Sequence, residues 1–259
     1  MQSSTLSRVT GALFILAALV FAVTSSTLSA TFEWPAILRK SPDTILTSFR
    51  AGGVTLIWTW FAVAWSYAFL LAPLVLLRRV IERRASETNQ SIPYLELATI
   101  IGSVSVVASL LGFLRWVFVV PGLAEMYADP AAHATTREAV VAAFYAQHQL
   151  GGALLGEHIG QLLSIIWTVL ISVTILRTRI AHPWVAALGF VASAFYTLNQ
   201  ANMIATAIPS FPVWHPAALI GSLLWAAWII ALGASLILRA TPQPARSTHP
   251  APAASPQTA

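Results

Sequence analysis

Six apolar stretches, each about the length of a membrane-crossing helix, divide this chain and leave little room for anything else. A helix rising about 1.5 Å per residue needs about 20 apolar residues to cross roughly 30 Å of hydrocarbon. The stretches run from Val9 to Leu28, Gly53 to Leu77, Leu97 to Val120, Leu150 to Leu176, Trp184 to Ala207 and Trp214 to Leu238. Backbone in hydrocarbon must satisfy its own hydrogen bonds, so the expected fold is all-α: a polytopic six-transmembrane-helix bundle forming one membrane domain over residues 1–240. With 57% hydrophobic residues, 9% charged residues and a mean hydropathy of +0.75, the chain is too apolar for an ordinary soluble domain. The remainder, residues 241–259, is rich in Pro, Ala, Ser and Thr and is expected to be a disordered cytoplasmic tail.

Positive residues set the orientation. Arg8, the Arg78, Arg79, Arg83 and Arg84 group, Arg177 and Arg179, and Arg239 and Arg246 fall on one side, nine in all; Arg39, Lys40, Arg50 and Arg137, four, fall on the other. The positive-inside rule then places both termini in the cytoplasm. The net charge of +5 is spread as short punctuation between apolar runs, with no basic, aromatic-interleaved surface for nucleic acid. With no cysteine, disulfides, thiolate metal sites and cysteine nucleophiles are excluded. Arg8, the apolar core from Gly11 to Val23 and the small residues Ser26 to Ala30 also fit a secretory signal. Retention of the first span is favoured, because multi-span proteins commonly keep it as an anchor.

Two loops on the less positive side carry content. In the first, Ser41-Pro42-Asp43 marks a helix start. In the second, Asp129-Pro130 marks a turn, and Thr135 with Glu138 has capping-box spacing ahead of Val141, Phe144, Tyr145 and His148. That pattern predicts a short amphipathic helix over residues 129–149, on the outer surface or over the bundle. Trp58, Trp60, Trp116 and Trp214 are expected in an outer aromatic belt and Trp184 in an inner one, with Trp65, Trp167, Trp225 and Trp228 deeper in the packing.

Polar groups inside the apolar runs are the candidate site. By helical rise, Arg115 lies about 9 Å below the outer end of the third span and Glu157 about 10 Å down the fourth; Asn199, Gln200 and Asn202 lie roughly 8 to 12 Å from the end of the fifth. The matched depths predict an Arg115–Glu157 pair at the head of a stripe formed by Glu157, Gln161, Ser164, Thr168 and Ser172. His158 is turned about 100° from Glu157 and should address other neighbours. The candidate cluster is therefore Arg115, Glu157, His158, Gln161, Asn199 and Gln200. On a straight α-helix His148 and Glu157 would lie about 13 Å apart along the axis and on opposite sides, so no metal is expected, although a break at Gly151-Gly152 would change that geometry. No cofactor motif is present. Gly102, Ser105, Ser109 and Gly112 form a small-residue face for a neighbouring helix or a second copy in a homo-oligomer.

Several segments resemble a bacterial membrane family, the domain of unknown function 4386: Arg8-Val9-Thr10-Gly11-Ala12-Leu13-Phe14, Ile45-Leu46 with Phe49-Arg50-Ala51-Gly52, Gly156-Glu157-His158-Ile159-Gly160, and Pro183-Trp184-Val185-Ala186-Ala187-Leu188-Gly189. The resemblance implies a six-helix protein of the bacterial inner (plasma) membrane and carries over no catalytic residue. Three roles stay open. The leading one is binding or transport of a small molecule through an outward-facing polar pocket around Arg115 and Glu157, with membrane lipids as the other partner. The second is a membrane-embedded enzyme using Glu157 and His158 as acid and base on a lipid-like substrate. In the third, the chain is a regulatory or structural subunit with Arg115–Glu157 as a structural tie.

Overall fold

The computed structural model of the chain describes residues 3–240; the tail at 241–259, with its expected disorder, lies outside them. Among the described residues all regular structure is helical. The helices are α1 (Ser3–Phe32), α2 (Pro42–Ala68), α3 (Leu71–Glu87), α4 (Leu95–Phe118), α5 (Val120–Ala128), α6 (Ala134–Gln147), α7 (Gly160–Thr178), α8 (Pro183–Ala205) and α9 (Pro216–Arg239), with a 3-10 turn at Ala36–Arg39 and a π-helix at His148–Ile159. Together they form an all-α polytopic membrane bundle.

Five continuous helical segments are long and apolar enough to cross a membrane: 4–32, 42–87, 95–128, 134–178 and 216–239. The sixth expected span is α8. Its 23 residues reach about 34 Å at the α-helical rise, but Asn199, Gln200 and Asn202 dilute its apolar character. It packs between α7 and α9 and buries Val185, Ala186, Gly189 and Ala192. The first segment is integral to the bundle: α1 buries Leu6, Phe14, Ala17 and Leu28 and runs against α9.

Local chemistry explains the element ends. Ser41 caps α2 by accepting from the Thr44 amide at 3.4 Å, with Pro42 in the first turn, as the sequence pattern expects. Within α2 the chain breaks at Gly53, with φ 55° and ψ −153°, a region essentially reserved for glycine. This break divides a first segment of α2 from the apolar segment that begins at Val54. A Cβ at Gly53 would meet nothing within 4 Å, so only the backbone resists substitution. Gly53→Ala is therefore expected to cost about 1–3 kcal/mol, read as a lowered thermal midpoint in detergent; an unchanged midpoint would contradict the kink.

The helix expected at 129–149 differs in form. It begins at Ala134 with His133 as an N-cap that makes no side-chain bond, so the Thr135/Glu138 box does not form. Instead of lying apart on the surface, α6 continues through the π-helix into α7. Val140 and Phe144 pin it by burying in a core cluster shared with α1, α2, α4 and α5. That core also contains Trp60 and Trp116, both fully buried, so neither belongs to a lipid-facing belt. Trp58 and Trp214 are exposed as a belt requires, whereas Trp65, expected in the packing, is 51% exposed. Trp167 and Trp228 lie in the second core as expected.

Candidate functional site

The site is built on a close crossing of α4 and the π-helix. Gly112 and Gly156 meet backbone to backbone: a Cβ on Gly112 would lie 2.6 Å from the Gly156 Cα. The hydroxyl of Ser105 donates to the Gly160 carbonyl at 2.7 Å, and that of Ser109 to the Gly156 carbonyl at 3.4 Å. The small-residue face of α4 is thus used within the chain. Short side chains let the backbones approach, and the serines bond carbonyls at the end of the π-helix and the start of α7.

The π winding changes who faces whom. With i→i+5 bonding there are roughly four to five residues per turn, so nine residues span about two turns and return to the same face. His148 and Glu157, opposite on an α-helix, therefore share a face, with Gly152 between them. The Arg115 side chain covers that glycine: a Cβ at Gly152 would fall 2.6 Å from Arg115 Nη2. Arg115 is buried, donates through Nη1 to its own helix at the Gly112 carbonyl, and lies 5.1 Å above the Trp116 ring. Its Nε has no partner.

Arg115 does not pair with Glu157, contrary to the sequence expectation. The partner is Arg39, which reaches in from the 3-10 turn and places Nη2 2.6 Å from Glu157 Oε2. Depth arithmetic set the heights of Arg115 and Glu157 but not their azimuths, and it took no account of a loop folding over the helix ends. Glu157 Oε1 is buried without a partner. The two paired side chains are partly open, Arg39 at 38% and Glu157 at 27%. His148 Nε2 lies 3.0 Å from the Leu38 carbonyl. A carbonyl only accepts, so Nε2 carries a proton, and the buried Nδ1 is left without a partner.

His158 faces the other way, as expected, into a ladder of amides. Its Nδ1 lies 2.6 Å from Gln200 Oε1; Gln161 Oε1 accepts from Gln200 Nε2 at 2.5 Å and from Asn199 Nδ2 at 3.0 Å; Asn202 Nδ2 donates to Asn199 Oδ1 at 2.8 Å. Asn199 and Gln200 are both buried, and this ladder ties the π-helix and α7 to α8. Below it Ser164, Thr168 and Ser172 face inward, with Trp225 Nε1 donating to Thr168 Oγ1 at 3.0 Å.

The structure thus divides the expected cluster. Arg115 and Glu157 join Arg39 and His148 on one face, and His158, Gln161, Asn199 and Gln200 form the ladder on another. Arg39 was missed at the sequence level; the one cue was its place directly after the apolar pair Ile37-Leu38, which buries and pins the turn. A cleft of about 570 Å³ is lined by Asp43, Tyr127, Arg137, Glu138, Val141, Ala142 and Tyr145 and by none of Arg39, Arg115, His148 or Glu157. Among the described residues no three His, Cys, Asp or Glu side chains gather to hold a metal ion.

An all-helical membrane bundle with a polar cluster set into its helices defines the class of protein. The chain matches the family described as Domain of unknown function (DUF4386) over residues 9–233 and belongs to that family. Neither a curated protein nor a solved structure matches it.

Proposed function

We propose that the chain binds a small molecule, in a receptor-like or transport-like role, at the cluster formed by Arg39, Arg115, His148 and Glu157. The observation that carries this reading is the charge arrangement. Two guanidinium groups lie near one carboxylate, which is bonded only by the partly exposed Arg39 on a loop. The other carboxylate oxygen, the Arg115 Nε and the His148 Nδ1 are all left without partners. Buried polar atoms without partners are costly, and a ligand or water supplies what they lack. A purely register-setting role for the ion pair is less favoured, because the serine and glycine seam between α4 and the π-helix already sets that register.

The test is thermal unfolding of the detergent-purified chain against a panel of small anions, cations and neutral solutes. At least one member should raise the wild-type midpoint, and R115Q should lose that response while keeping its size-exclusion profile. If instead E157Q and R115Q both unfold and an R39Q/E157Q double variant is restored, the cluster is structural.

The same reading places the chain in a bacterial inner membrane with both termini cytoplasmic, on the nine-to-four distribution of positive residues. The cysteine-free background allows a direct check. A131C, between α5 and α6, should react with a membrane-impermeant maleimide on intact spheroplasts, and T88C, between α3 and α4, only after lysis. The reverse pattern would invert the topology.

A further inference from the structure

The unpartnered atoms indicate the chemistry of a ligand that would fit the site. The charged and titratable groups around Glu157 are Arg39 from the 3-10 turn, Arg115 from α4, and His148 and His158 from the π-helix; α8 contributes only the uncharged Met203 and Gln200. Two guanidinium groups, Arg39 and Arg115, face the one carboxylate of Glu157. Arg39 takes one oxygen of Glu157 and leaves the second idle. Arg115, nine-tenths buried, has an idle Nε–H and no carboxylate bonded to it. A guanidinium fork matches the paired oxygens of a carboxylate. The surroundings are apolar and aromatic: Trp116 lies under Arg115, and Phe144 stacks on His148 at 5.3 Å. Such walls suit an organic anion better than a strongly hydrated inorganic one.

We propose, resting on the binding role above, that the ligand is a small organic monoanion bearing a carboxylate, that it bridges Arg115 and Arg39, and that Glu157 is its built-in competitor. In the ligand-free chain the Glu157 carboxylate occupies the Arg39 half of the site. The arriving carboxylate engages Arg115 and displaces Glu157 from Arg39. Since the arginine pair is shared between two carboxylates, neutralising Glu157 strengthens ligand binding. The pair to be broken is partly solvent-exposed at a loop, so the exchange needs no rearrangement of the helices.

Binding of radiolabelled acetate to the purified full chain tests this, with tetramethylammonium and glycerol as cationic and neutral probes. Acetate should bind saturably to the wild type. E157Q should bind it about tenfold more tightly, because the competitor is gone, and R115Q at least about tenfold more weakly. Unchanged or weaker acetate binding by a folded E157Q overturns the competitor. Should E157Q fail to fold, E157D decides: its shorter carboxylate reaches Arg39 less well, so tighter acetate binding than wild type supports the inference, and unchanged or weaker binding overturns it. If only tetramethylammonium or glycerol binds, the site is a ligand site and the anion inference fails. If no probe binds, both readings fail.

Discussion

Replacing Gly156 by leucine is expected to destabilise the bundle by about 3 kcal/mol or more, enough to abolish a monodisperse size-exclusion peak. At the crossing, a Cβ on Gly156 would lie 2.9 Å from the Gly112 Cα, and the neighbour is backbone, which cannot rotate aside. The helices must separate. Separation lengthens both serine bonds, to the Gly156 and Gly160 carbonyls, each worth about 0.6 kcal/mol on average in a membrane bundle, and lifts Arg115 from its seat over Gly152. G156A should fall between wild type and leucine. A G156L variant with the wild-type thermal midpoint would show that α4 and the π-helix do not meet at this seam.

Trp116→Ala is the second large effect, expected at about 3 kcal/mol in thermal or denaturant unfolding. Trp116 is fully buried, stacked on Trp60 at 4.8 Å with the rings only 6° from parallel, and edge-on to Phe32 and Phe144. In lipid the transfer part of a core substitution shrinks, since acyl chains solvate an apolar group well. The packing part persists, because a cavity has no atoms to restore the lost contacts. The variant also removes the ring beneath Arg115, so ligand response should weaken with stability. Trp58→Ala is the control. That residue is 64% exposed, and its loss should move the midpoint by no more than about 0.5 kcal/mol. Equal effects at both positions would contradict the division between buried core and lipid-facing belt.

These two tryptophans show where sequence reading reaches its limit. Both lie near a helix end and so fit an aromatic belt by depth. Depth does not tell whether a ring points to lipid or to a neighbouring helix, and Trp116 turns inward because Phe32, Phe49, Trp60 and Phe144 converge on it. The stripe from Gln161 to Ser172 was readable because α7 is a regular helix, where spacing gives direction. Its inward orientation follows from the exclusion of polar groups from lipid. The amide ladder was readable in part. Asn199, Gln200 and Gln161 were expected in one cluster, but their convergence on the Gln161 oxygen depends on how α7 and α8 are rotated against each other.

The Arg115–Glu157 expectation failed for a different reason. It assumed α-helical winding through Gly151 and Gly152, and i→i+5 winding over twelve residues turns Glu157 to a new azimuth. It also left out Arg39, since helix arithmetic says nothing about how a loop folds over the bundle.

By itself, the sequence determined the apolar spans, the uneven distribution of positive charge and the small-residue face of α4. These follow from local periodicity and the need for backbone to bond to itself in hydrocarbon. Only the tertiary structure decided that Glu157 belongs to Arg39, that His148 shares its face, and that Arg115 is buried without a carboxylate bonded to it. Those outcomes depend on the winding of one glycine-rich segment and the docking of one short turn, and neither leaves a period in the sequence to read.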